Sequence, residues 1–343
     1  MARTRRPTIA DIARAAGVSP TAVSFTLNGK PGVGAAAQER IRAAVEELGW
    51  RPHSAARSLG GRRTETVGLV VARPARTLGV EPFFAQLVSG LQARLSADRV
   101  ALQLLVVEDT AAELEVYERW AAERRTDGVV LLDLEADDPR PATVERLGLP
   151  AVILGGDGTP GPVPAVFVDD HAAMTAVVRY LADLGHTRIG HVGGIAAYVH
   201  SARRVAALRE VAAERGLTVT TQPTDYSQDQ AAQATERLLD AGRAPTAIVF
   251  DSDVEALAGL SVLVGRGVRV PGDVSVVSFD DSDLARLVQP ALTALSRDTF
   301  ALGEQVATTL LTVLGEGRAD DVITAPVPQL VRRASTGPAP EGP

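Results

Sequence analysis

The residues in this chain best suited to chemistry are cations gathered at one end. Residues 1–63 hold eleven Lys or Arg against four Asp or Glu, a net +7, whereas residues 64–343 carry −14, giving −7 overall. A basic segment on an acidic body suits a polyanionic partner; the plainer alternative is a solubilising tail. The pattern inside the segment decides between them. Thr8-Ile-Ala-Asp11 is a capping-box-like helix start, with Asp in place of the usual Glu, and Ile9, Ile12, Ala13 and Ala16 then fall on one helical face. Gly17 stops this helix and Val18 plugs the turn. Ser19 caps a second helix, with Pro20 at its first position, where a missing N–H costs nothing. That helix runs to about Leu27, with Val23 and Leu27 inward, and Asn28-Gly29 ends it. Ala35 to Leu48 makes a third helix with Ile41, Val45 and Leu48 inward, closed by Gly49. Helix, glycine turn, short helix and supporting helix is the helix-turn-helix arrangement. Its second helix can enter a major groove with its N-terminal side chains at base edges. An ordinary three-helix bundle needs neither the basic charge nor the exposed small polar residues of the second helix.

Other chemistries lack their residues. There is no cysteine, so disulfides, thiolate metal sites and cysteine nucleophiles are excluded. The five histidines, His53, His171, His186, His191 and His200, show no zinc-ligand spacing. Gly155-Gly156 and Gly193-Gly194 form neither a dinucleotide fingerprint nor a phosphate loop, and no serine stands in a nucleophile elbow. A protein without catalysis, cofactor or metal is expected. With 343 residues, 45% of them hydrophobic, the chain can fill two or three domains. No apolar run approaches the ~18–20 residues of a membrane span, and the start, Met1 to Val18, lacks a secretory pattern. A cytoplasmic protein with no membrane partner is the expectation.

The elements that must position a site begin at Thr66. Val67–Val71, Ala101–Val107, Gly128–Leu132 and Pro150–Leu154 are apolar runs, separated by helical stretches from Phe83 to about Ala97 and from Leu114 to Arg124. The alternation restarts after Ala165–Val168, with helices at Asp170–Leu184, Arg203–Arg215 and Val254–Arg266 and strands at Ile189–Val192, Ala247–Phe250 and Val274–Phe279. Such alternation means right-handed crossovers and parallel sheets. The expected fold class is α/β, two doubly wound halves in tandem behind a helical head. Ligands of open parallel sheets bind beyond the carboxyl ends of the strands, here in a cleft between two lobes.

The segment Ile9-Ala-Asp-Ile-Ala-Arg-Ala-Ala-Gly-Val-Ser-Pro-Thr-Ala-Val-Ser-Phe-Thr-Leu-Asn28 closely resembles the start of the lactose repressor (LacI/GalR) family. Trp50-Arg-Pro-His-Ser-Ala-Ala-Arg-Ser-Leu59 resembles its hinge helix. Leu184-Gly-His-Thr-Arg-Ile189 and Val270-Pro-Gly-Asp-Val-Ser-Val-Val-Ser-Phe-Asp-Asp281 resemble its core motifs, and the likeness runs on to Thr336. It implies a helix-turn-helix domain at 1–49, a hinge helix and linker at 50–63, and a periplasmic-binding-protein-like effector and dimerisation core at 64–336. Lobe one would take 64–168 and 297–325 and lobe two 169–296 and 326–336, with a disordered tail at 337–343. It also implies that Thr8, Ser19, Ser24 and Asn28 contact DNA phosphates, that Pro20, Thr21 and Phe25 face bases, and that Leu59 wedges into a minor-groove step beside the small Ala56. Two departures stand out: Phe25, where Arg or His is frequent, can pack on a thymine methyl or in the head's own core, and His53 replaces a frequent Asn.

In the core the resemblance implies that Phe83, Phe84, Arg204, Tyr226, Ser252 and Asp280 contact an effector, with Ser252 where Asn is frequent. Plainer roles exist for each: Phe84 in the core, Arg204 paired with Asp280, Tyr226 on the surface, Asp281 and Asp283 as loop or cap residues. Gly155-Gly156 would leave one pocket wall bare. Arginine donors, a carboxylate acceptor and aromatic faces suit a neutral polyhydroxylated ligand, so a saccharide is expected. The expected protein is a homodimeric repressor on a palindromic double-stranded operator, controlled by that effector. The rivals are a purine or nucleoside effector, no effector at all, or a solute-binding module serving transport.

Overall fold

A computed structural model describes residues 7–50, 63–73 and 78–341. The chain divides into two units, Met1–Thr64 and Glu65–Pro343. In the first, α1 (Ile9–Ala16), α2 (Pro20–Leu27) and α3 (Ala35–Glu47) close around Ile12, Val23 and Ile41, all fully buried. Thr8 and Asp11 form the reciprocal cap of α1, and Gly17 ends it at φ +65°. The Ser19 hydroxyl accepts from the Ala22 amide at 3.2 Å, satisfying an orphan donor of α2. Arg40 Nε donates to the Ala16 carbonyl at 3.0 Å, so α3 answers the open end of α1. Val18, Leu27, Val45, Leu48 and Trp50 pack around this core.

The second unit holds two six-stranded sheets. Its elements in chain order are β1 (Thr66–Ala72), α4 (Pro82–Ala97), β2 (Ala101–Val107), α5 (Thr110–Glu123), β3 (Gly128–Leu131), α6 (Arg140–Arg146), β4 (Ala151–Leu154) and β5 (Ala165–Phe167). Then come α7 (Asp170–Asp183), β6 (Arg188–Gly193), α8 (Val199–Arg215), β7 (Thr218–Pro223), α9 (Gln228–Leu239), β8 (Ala247–Phe250), α10 (Asp253–Gly265) and β9 (Ser275–Ser278). The last are α11 (Asp283–Leu287), β10 (Thr293–Ser296), α12 (Thr299–Glu316), β11 (Val322–Thr324) and β12 (Gln329–Val331). One sheet runs β11-β5-β4-β3-β1-β2, all parallel; the other runs β12-β10-β9-β8-β6-β7, parallel except for β12. The chain therefore crosses between sheets after β5, after β10 and after β11. Helices cover both faces of each sheet, so the central strands are buried on both sides and read as unbroken apolar runs. In β1, Val67, Leu69 and Val71 enter one core cluster and Val70 the opposite one. Edge strand β7 is half-exposed and polar, which left it without a hydrophobic signature in the sequence.

The tail expectation needs correction. Residues 337–341 follow the surface of the second lobe: the Gly337 amide donates to Ser275 Oγ at 3.1 Å, its carbonyl meets buried His186 Nε2 at 3.1 Å, and the Ala339 amide donates to the Leu184 carbonyl at 2.8 Å. The Pro- and Gly-rich composition hid these backbone bonds. Among the described residues no helix is long and apolar enough to cross a membrane.

Helices α4 and α12 touch through glycines. A Cβ on Gly303 would lie 2.4 Å from the Leu87 carbonyl oxygen, and one on Gly90 2.0 Å from that of Phe300, whereas a Cβ on exposed Gly315 meets nothing. Gly303→Ala is expected to destabilise the protein by ~1–3 kcal/mol through overpacking. Gly315→Ala on the same helix should stabilise it by ~0.5–1 kcal/mol through the unfolded state. Urea unfolding of the two variants checks this, and a shared sign would contradict the close approach.

Candidate functional site

Between the two sheets, at the carboxyl ends of their strands, lies a cavity of about 80 Å³. Arg73 and Asp133 come from just past β1 and β3, Asp251 and Asp280 from just past β8 and β9, and His200 and Arg204 from the first turns of α8. Arg204 is buried, donating to Asp170 Oδ1 from Nε at 3.0 Å and Nη2 at 2.8 Å, with Nη1 3.3 Å from Asp251 Oδ2. Its guanidinium stacks 3.9 Å from the Phe279 ring centre. The proposed plain pairing of Arg204 with Asp280 is thus corrected: Asp280 pairs with Arg297, and Ser278 fixes its backbone. Burial acts to raise the Asp251 carboxyl, but Arg204 and His191 outweigh it and hold the group below the ordinary carboxylate range.

Arg73 fills the centre. Its Nε donates to Asp133 at 2.7 Å and its Nη1 to Glu81 at 3.1 Å. Its guanidinium faces Tyr226 at 4.5 Å, Phe84 at 4.9 Å and Tyr198 at 5.4 Å, measured to the ring centres. Burial pushes Glu81 up to about 7, against the pull of Arg73. Tyr226, buried rather than on the surface, adopts φ +66° and meets His200 Nε2 through its hydroxyl at 2.9 Å. Burial, then the charge of Arg204, lower His200 to about 4, leaving it neutral near pH 7.

The remaining expected contacts divide. Phe83 lines the cavity beneath Arg297, 5.1 Å from its ring centre. Phe84 does not line it; its ring is buried in the lobe-one core, so a direct effector contact there is corrected to a core role with Arg73 on its face. Ser252 lines the cavity and caps α10, accepting from the Glu255 amide at 3.2 Å. Gly155 lines it too, with space beyond its Cα. Asp281 is tied to Arg333 at 2.8 Å, and Asp283 opens α11 behind the cap Ser282. Sequence reasoning missed Arg73, Glu81, Asp133, Asp170, His200, Asp251 and Arg297. Arg73, Asp133 and Asp251 each stand within two residues of a strand end, so the rule that ligands meet strand ends carried the signal.

On the head, Pro20, Thr21 and Phe25 of α2 are exposed. Phe25 is 36% exposed with Lys30 Nζ 5.9 Å from its ring centre, so it is not a core residue. Asn28 Nδ2 donates to Ser24 Oγ at 3.4 Å, while Thr8 and Ser19 cap the two helices. His53, Ala56 and Leu59 lie outside the described residues.

Comparison with known proteins matches residues 8–53 to the model of bacterial regulatory proteins of the lacI family and residues 178–336 to a periplasmic binding protein-like domain. The transcriptional regulator CelR of Thermobifida fusca is 35% identical over 91% of this chain and 93% of its own. The chain belongs to the lacI family. Its members matched here include the regulator MalR of Streptomyces coelicolor, 33% identical over 97% of both chains. The solved CelR–cellobiose complex is 30% identical and superposes with a TM-score of 0.73 over 96% of this chain and all of that one. The lac repressor dimer on its operator, 24% identical over 97% of this chain and all of that one with a TM-score of 0.81, shows the same fold. The chain is thus a DNA-binding transcriptional regulator with a helix-turn-helix domain and a periplasmic-binding-protein-like core, and its relatives are regulators, not enzymes.

Glu255 gives the cleft a pH signature. It is fully buried behind Ser252, hydrogen-bonded to that hydroxyl at 3.2 Å and to Thr224. Burial first, then the Asp251 charge, raise it from 4.5 to about 8. The folded chain therefore holds a proton here that the unfolded chain has released, and this contribution to stability falls as pH rises between those two values. Glu255→Gln should flatten the dependence by up to one proton, about 1.4 kcal/mol per pH unit. Denaturant unfolding of both proteins from pH 5 to 9 measures it, and parallel curves would contradict the assignment.

Proposed function

We propose that this regulator is a repressor that binds a palindromic operator as a homodimer and releases or grips it in response to a neutral saccharide held between the lobes. The observation that carries the effector class is the charge of the cavity wall. Five carboxylates, Glu81, Asp133, Asp170, Asp251 and Asp280, face three guanidiniums, Arg73, Arg204 and Arg297. An anion would meet net repulsion, whereas hydroxyl groups can donate to the carboxylates and accept from the arginines. Phe83 and Tyr226 offer faces for the C–H side of a sugar ring. The solved complex of the relative CelR with cellobiose agrees with this reading.

The volume explains how binding would be felt at a distance. A dry cavity of about 150 Å³ accepts benzene, and this one measures about 80 Å³. Movement of Arg73 or parting of the lobes would make room for a sugar ring. Either movement changes how the lobes meet, and coupling of ~1–3 kcal/mol, or ~5–150-fold in operator affinity, is the usual scale.

Calorimetry of the purified chain with cellobiose, other saccharides and purines tests the class: saturable sugar binding is expected, and purine binding without sugar binding would sink it. Asp280→Ala should abolish the ligand response in gel retardation while leaving operator affinity intact, since residue and DNA lie in different units. In the head, Leu59→Ala should weaken operator binding by ~1–3 kcal/mol and leave random DNA nearly unaffected. Equal losses on both DNAs would deny Leu59 its wedge role.

A further inference from the structure

Arg73 covers the aromatic platform that a sugar ring would use. Its buried guanidinium lies over the Tyr226 ring, 4.5 Å from the ring centre. From there Nε donates to Asp133 at 2.7 Å and Nη1 to Glu81 at 3.1 Å. Tyr226 is fixed in place. Its backbone holds φ +66° and its hydroxyl meets His200 Nε2 at 2.9 Å. Gly194 packs so close to the hydroxyl end of the ring that a Cβ on it would fall 1.9 Å from Cζ. Tyr198 is no substitute, because the same guanidinium lies over its ring as well, at 5.4 Å. One cation thus occupies both tyrosine rings that lobe two turns toward it.

We propose that Arg73 is a tethered occupant of the effector site: a sugar ring replaces its guanidinium on Tyr226 and takes over its hydrogen bonds to Asp133 and Glu81. This rests on the saccharide reading above and adds which subsite the ring enters and what leaves it. The two occupants present the same chemistry to the subsite. A guanidinium plane and the C–H side of a sugar ring are both drawn to the electron-rich face of an aromatic ring. Sugar hydroxyls donate as the guanidinium N–H groups do, and a carboxylate accepts from either. Two such groups cannot share one ring face. Once Arg73 leaves, Asp133 still has buried Arg140 beside it, with Nη2 donating to the Asp133 carbonyl at 2.9 Å. Among the described residues the Glu81 carboxylate accepts from Arg73 alone, so it becomes the acceptor freed outright. A ligand without hydroxyl or N–H donors would leave both carboxylates buried and unmet, so the tethered occupant also selects against apolar molecules.

Isothermal titration of the full-length chain and of its Arg73→Ala variant with cellobiose, maltose and glucose tests this. Affinity falls with the fraction of molecules whose site is free, so the variant is expected to bind sugar about tenfold or more tightly than the wild-type chain. Methylguanidinium, which can refill the vacated place, should compete with sugar in the variant and not in the wild-type chain. A variant affinity equal to or below wild type, or no competition by methylguanidinium in the variant, overturns the proposal and leaves the saccharide reading standing. Sugar binding to neither protein removes the saccharide reading and the proposal together. Should the variant lack a cooperative unfolding transition, a crystal structure of the wild-type chain with its sugar decides. A guanidinium displaced from Tyr226 supports the proposal, and one still stacked on that ring overturns it.

Discussion

Arg204 lies beneath the strand ends of lobe two with its guanidinium out of water, held by Asp170 on one side and Asp251 on the other. An ion so placed is tolerable only while its partners stay, because the loss of one leaves an uncompensated buried charge. Much of the cleft follows from that constraint. Asp251 must sit at the end of β8 to reach Arg204, which brings His191 of β6 and the Gly194 amide into contact with it. Asp170 must open α7, which sets the first turn of that helix against α8. The same rule governs the facing lobe, where Arg73 is enclosed by Asp133 and Glu81 and roofed by aromatic rings.

The two lobes meet through these groups as well as through the three chain crossings. The Arg73 guanidinium of lobe one stacks on Tyr226 and Tyr198 of lobe two. The Val199 amide, at the start of α8, donates to the Leu134 carbonyl across the gap at 2.8 Å. These contacts are polar or cation–aromatic, and such surfaces allow relative motion far more readily than a continuous apolar core. The apolar clusters themselves stay within one lobe or the other. A regulator built this way keeps each lobe stiff and concentrates its adaptability at the cleft, where a ligand can act.

Local physics made the head fully readable. Short-range caps, a glycine stop and helical periodicity depend on residues three or four apart, so Thr8, Ser19, Pro20 and Gly17 fixed the ends of two helices from the chain alone. The central strands were equally plain, because burial on both faces demands unbroken apolar runs. Short or polar elements were not: β7 is half-exposed, β11 and β12 have three residues each, and α9 presents a narrow apolar stripe on a polar sequence.

The sequence by itself determined the helix-turn-helix geometry, the α/β class with its tandem halves, and a likeness strong enough to point to a cleft and to Arg204, Tyr226 and Asp280 in it. Tertiary structure alone decided which charges pair. Asp170, Asp251 and Asp133 are separated from their arginines by 34, 47 and 60 positions. No local pattern chooses among the many carboxylates that a fold could bring to one arginine. It likewise decided that Phe84 turns into the core while its neighbour Phe83 faces the cavity, since successive residues on a helix point about 100° apart and only packing fixes the zero of that rotation.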